Sequence, residues 1–165
     1  MKPIANPNAW SCLPASFASV LEVSLDAILA VIGHDGSEIT HAGLPDPLQR
    51  RGFHPQELIK VCLQDGKFVT SVELNPCASP SGTMDRLRKF DIGGWEWFRD
   101  NLFNSRGVLD CRTVVGTGHA MAYEGQGDHA IICDPGKAGQ LFELRDLKEA
   151  EMRDRYLVAL WRIDE

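Results

Sequence analysis

A thiol, an imidazole and a carboxylate stand in this chain where they can act together. Cys12 follows Asn6, Asn8 and Trp10 in NPNAWSCLPASFASVL. The residues after it read as a helix: Pro14 suits a first turn, and Phe17, Val20 and Leu21 return at helical spacing. A cysteine at a helix start faces unpaired backbone N–H groups and the positive end of the helix dipole. Both favour the thiolate and lower its pKa from about 8.5 toward ~3.5–7.5, the more so beside a histidine. Cys12 is therefore a candidate nucleophile. The simpler alternative is a small buried hydrophobe, the commoner fate of a free cysteine, so the presence of a base decides between the two.

GTGHAMAYEGQGDHAIICDPG, residues 116 to 136, supplies that base. With Gly125-Gln126-Gly127-Asp128 as a four-residue turn, Glu124 pairs with His129, and counting back along both strands sets His119 opposite Asp134. Imidazole and carboxylate then share one face. A carboxylate that accepts from one ring nitrogen fixes the tautomer and turns the other nitrogen toward a thiol. The same count sends His129 to the opposite face, where a structural or surface role is expected of it.

The elements that must position these groups follow from periodicity. After the helix that begins at Cys12, Ser24 caps a second one, in which Leu25, Ile28, Leu29 and Ile32 repeat before Gly33 stops it. A loop rich in Gly, Pro and His leads to a third helix whose apolar stripe is Leu58, Ile59, Cys62 and Leu63. KFVTSVEL reads as a strand, NPCASPSG as a loop, and MDRLRKF and GWEWFRDNLF as short helices. Strands follow in GVLDCRTV, GHAMAYE, HAIICD, QLFEL and YLVALWRI. Helices first and strands later predict an α+β domain, with an antiparallel sheet packed against an N-terminal helical part.

The order Asn6, Cys12, His119, Asp134 resembles that of the papain-like cysteine peptidases: oxyanion-hole amide, helix-start cysteine, strand histidine and a following Asn or Asp. The compact spacing, with GHAMAY running into IICDPG, is most similar to the bacteriocin-processing double-glycine peptidase branch and its small stand-alone relatives, some of them phage-encoded. The resemblance implies a papain-like fold and no cofactor, and a peptide or protein as substrate. It implies roles for four residues: Cys12 as nucleophile, His119 as general base and acid, Asp134 as its orienter and Asn6 as oxyanion donor. This sequence departs from the family in two places. Asn6 stands where the family usually has Gln, with Asn8 as a rival, and Cys12-Leu13-Pro14 replaces the usual Cys-Gly. Trp10, beside the thiol, is assigned with Asn8 to substrate binding.

Composition bounds the alternatives. The 165 residues, 44% of them hydrophobic, fit one domain over 1–165 with a single core. A formal charge of −6 with scattered basic residues offers no footprint for nucleic acid. Neither a signal-peptide pattern nor an apolar run near the ~20 residues of a membrane span is visible, so a soluble, cytosolic protein is expected. The cysteines, Cys12, Cys62, Cys77, Cys111 and Cys133, are odd in number and contain no CxxC pair, which favours reduced thiols over a disulfide framework or a zinc site. Cys62, Cys111 and Cys133 fall in apolar patterns and are expected in the core with Trp161, whereas Cys77 lies in a polar loop. His34 and His41, with Asp35 and Glu38 between them, lack regular ligand spacing, and solvent exposure rather than a metal is expected of them. Three function classes stay open: an amide hydrolase, or with an amine as second acceptor an acyltransferase; a non-catalytic binding module on the same fold; and a metal-binding regulator. Residues 33 to 57 and about 75 to 97 are expected to choose the substrate.

Overall fold

The computed structural model describes residues 1–73, 102, 104–113, 117–126, 129–143 and 155–165. Three helices come first: α1 (Cys12–Leu21), α2 (Leu25–Ile32) and α3 (Pro55–Gln64). They are followed by β1 (Phe68–Glu73), β2 (Arg106–Thr113), β3 (Gly118–Gln126), β4 (His129–Asp134), β5 (Gln140–Glu143) and β6 (Arg155–Asp164). A 3-10 turn, Pro135–Lys137, follows β4. The helix expected over MDRLRKF, most of that over GWEWFRDNLF, Cys77, Trp95 and Trp97 lie outside the described residues.

Local signals explain the helices. Ser24 accepts a hydrogen bond from the Ala27 N–H at 3.2 Å and starts α2, and Gly33, at φ 88°, ends it in the left-handed region that a side chain disfavours. Pro55 opens α3, where His54 and Glu57 bond reciprocally to each other's backbone N–H. The buried stripe of α3 is Leu58, Val61 and Cys62; Leu63, expected in it, is exposed because it sits about a quarter-turn further round. No single helix among the described residues is long and apolar enough to cross a membrane.

The strands form one antiparallel sheet in the order β1-β6-β2-β3-β4-β5. On one face, Phe17, Ala18 and Val20 of α1 pack with Val108, Ala120, Ala122, Cys133 and Trp161. Leu109, Met121, Tyr123, Ile132 and Leu160 belong to a second apolar cluster. Burial on both faces is why β3 reads as a continuous apolar run with no alternation.

The hairpin register differs from the sequence count. Gln126 pairs with His129 and Glu124 with Ile131, so the connection is two residues long and β4 is displaced by two. An even displacement preserves the face of every side chain. Continued from the Ala122–Cys133 pair, the register brings Asp134 beside Met121, diagonal to His119 and still within reach of a long side chain.

Phe17 is fully buried, with its ring centroid 6.4 Å from that of Trp161, and it anchors the helix that carries Cys12. Phe17→Ala is expected to lower unfolding free energy by about 3–5 kcal/mol in urea titration, the usual cost of emptying a large buried aromatic site.

Candidate active site

Asn8 and Ser11 set the direction in which α1 begins. The Asn8 side-chain oxygen accepts from the Trp10 N–H at 3.1 Å and from the Ser11 hydroxyl at 2.6 Å, closing the turn just before Cys12. Cys12 is the first residue of α1, so its N–H is one of the groups the helix leaves unpaired. Pro14 costs α1 nothing there, since its missing N–H falls in the same turn.

His119 stands near the start of β3, facing Cys111 across the β2 ladder. Its Nε2 donates to Asp134 Oδ1 at 2.8 Å. The same carboxylate oxygen accepts the Gly136 N–H at 2.8 Å, and the side chain of Asp134 is 1% exposed. With Nε2 engaged, Nδ1 is the ring nitrogen left for a further partner. Cys12 and His119 line one cleft. Burial is the largest influence on the imidazole and disfavours its charge. Hydrogen bonds to Asp134 and Cys12, with the charges of both, outweigh it and lift the pKa to about 9.

Gly136 is a residue that motif reading passes over. A Cβ on it would lie 2.9 Å from His119 Cε1 and 3.1 Å from Asp134 Oδ1, so the absence of a side chain makes room for the imidazole. The sequence signal is the Asp134-Pro135-Gly136 turn, whose glycine is needed here for close approach, not for an unusual backbone angle.

Asn6 lies beside this pair but does not line the cleft. Its backbone N–H donates to the Pro135 carbonyl at 3.1 Å, and its side-chain Nδ2 donates one hydrogen to the Asn8 carbonyl at 2.6 Å. Asn8 is likewise a turn-former outside the lining. Trp10 does line the cleft, with its indole N–H on the Asp35 carbonyl at 3.0 Å and the Arg50 guanidinium 5.0 Å from the ring centroid. His129 is exposed at the far end of the hairpin.

The opposite wall comes from Leu48, Arg51 and Phe53, within the 33–57 segment named from sequence. His34 helps to hold that segment. Where the sequence places it in solvent, the structure half-buries it, stacked on Phe53 with ring centroids 5.1 Å apart and paired with Glu57 at 2.9 Å. Its partners lie 19 and 23 residues ahead, beyond the reach of a local reading. Trp161, assigned to the core, is buried and also forms cleft wall. Asp110 and Arg112 complete the cleft from β2.

Neither protein-family models nor curated proteins match this sequence. Solved structures do match. A double glycine motif protease from an AMS/PCAT transporter, determined in complex with the leader peptide, aligns with a TM-score of 0.51 at 15% identity, over 98% of this chain and 89% of its own. The mixed helix and antiparallel-sheet architecture is therefore a papain-like protease fold.

The raised His119 pKa carries a stability consequence. An imidazole lifted from 6.5 to about 9 in the folded state adds stability that is full below pH 6.5 and is lost as pH rises through about 9. Urea unfolding from pH 6 to 10 should show wild-type stability falling across that window. His119→Gln should be less stable at pH 6 and flatter across it.

Proposed function

We propose that this protein is a cysteine peptidase acting on a peptide or protein through Cys12, His119 and Asp134. The observation that carries the reading is the part-buried His119–Asp134 hydrogen bond through Nε2, which leaves Nδ1 for the thiol in the cleft that Cys12 and His119 line. The papain-like fold, and the leader peptide bound to a protease of the same fold, support a peptide as substrate.

In this reading the Cys12 thiolate attacks the scissile carbonyl carbon, and the carbonyl π electrons move to oxygen. The Cys12 N–H receives that oxyanion, and the Asn6 side chain, turned from the Asn8 carbonyl it meets at 2.6 Å, brings its Nδ2 into the cleft as the partner donor. His119 Nδ1 then gives its proton to the leaving amine nitrogen as the C–N bond breaks and a thioester remains. Water attacks the thioester as Nδ1 removes its proton, and the carboxylate product departs from sulfur. Asp134 holds the ring by Nε2 throughout and stabilises the imidazolium. Residues 4 to 6 are braced against the turn after Asp134, since the Asn6 N–H is bound to Pro135 and a side chain on Gly139 would meet Ile4 at 3.1 Å.

Brief haloacetamide treatment at pH 6, read by mass spectrometry, should modify Cys12 ahead of Cys62, Cys111 and Cys133. Those three are fully buried, and burial pushes the Cys62 thiol up to about 11. His119→Ala should slow Cys12 labelling by at least about tenfold, and Gly136→Ala should slow it by displacing the ring, whereas His129→Ala should label like wild type. Equal labelling in His119→Ala and wild type would remove the imidazole from the site.

Asn6 separates thiol activation from carbonyl chemistry. An oxyanion donor acts only on a tetrahedral centre, so Asn6→Ala should lower amide turnover by about 10²–10³ while affecting alkylation of Cys12 far less. Asn8→Ala should instead lower stability, because its side chain closes the turn before Cys12.

A further inference from the structure

Asp110 is a carboxylate on the floor of the cleft that the chemistry above does not use. Its strand neighbours are Ala120 on β3 and Ala159 on β6, both small and buried, and Ala120 lines the cleft with it. The carboxylate is only 13% exposed, and Arg112 Nη2 reaches its Oδ2 at 3.3 Å. That is long for a charge-assisted bond, which is ordinarily about 2.7–2.9 Å. Arg112 is 44% exposed and its guanidinium lies across Gly118, where a Cβ would stand 2.9 Å from Nη1, so it can move to solvent at little cost. Arg51, the other cation facing the cavity, is already committed to Glu57 at 3.0 Å. His119 is committed to Asp134.

The cavity holds about 250 Å³. Its walls include Trp10, Leu48 and Phe53, so an acidic floor lies beneath apolar sides. A side chain with an aliphatic stem and a cationic head complements that arrangement, stem on the walls and head on the carboxylate. We propose that Asp110 is the specificity-determining residue of the cleft and selects a peptide with lysine or arginine close to the scissile bond, whose cation replaces Arg112. This rests on the peptidase reading of Cys12. Burial raises the pKa of Asp110 and Arg112 offsets it only in part, which is the electrostatic demand that a bound cation meets.

Two chloroacetamides of equal length test the proposal, one with an aminobutyl arm and one with a pentyl arm. In each, the Cys12 sulfur displaces chloride and forms a thioether, and peptide mapping of the intact chain gives the two rates. The ratio of cationic to neutral labelling at low salt is expected to be about tenfold in wild type and about one in Asp110→Asn. In Arg112→Ala it should exceed the wild-type value, because the competing guanidinium is gone and the carboxylate stays; this arm also decides the matter if Asp110→Asn does not fold. A wild-type ratio near one, or a preference that survives Asp110→Asn, overturns the subsite and leaves the reactive thiol standing. Failure of Cys12 to react with either probe overturns the peptidase reading and this inference with it.

Discussion

Helix α1 can lie close on the sheet only because β3 presents Ala120 and Ala122 beneath it. Larger residues there would lift the helix and draw Cys12 away from the strand that carries His119. Phe17 and Trp161, packed against each other, belong to the same cluster, so the approach is set by packed volume, which resists change in both directions. The relation between thiol and imidazole is thus a consequence of helix-on-sheet packing, with the hydrogen bonds around it trimming orientation.

Around that contact the protein concentrates charge where water is scarce. Asp134 is buried because the turn after β4 folds back on it, supplying the Gly136 N–H to the same oxygen that holds His119. Its hydrogen bond and its charge act on the ring together with Cys12, which is why the imidazole gains a proton affinity that its burial alone would reduce. Asp110 is the contrasting case in the same cleft. It is only partly buried, its partner approaches from solvent on a long bond, and its charge is only partly met. One acid is built to be satisfied from within, the other from outside.

The cleft joins parts of the chain that are remote in sequence: the start of α1, the 33–57 segment, and β2, β3 and β6. The segment forming its far wall is held by His34 stacked on Phe53 and bonded to Glu57, whose carboxylate also takes Arg51. The wall, the helix α3 that carries Glu57 and the arginine facing the cavity are therefore mechanically one piece.

Cys12 as a helix start, the capping Ser24, the stop at Gly33 and the common face of His119 and Asp134 were legible in the residues themselves. Each depends on the 3.6 or 2.0 periodicity of a single element or on a backbone angle that one residue type supplies. Strand register was not legible, because a period of two is blind to a slip of two: the pattern decides which face a side chain takes and leaves open which neighbour it meets. The same limit applies to Asp110, Gly136 and His34, whose sequence neighbourhoods read as strand, turn and exposed loop. Their positions in the cleft or its supports come from contacts with distant segments, and only the packing of helices on the sheet decided those, since burial and charge pairing are properties of neighbours in space.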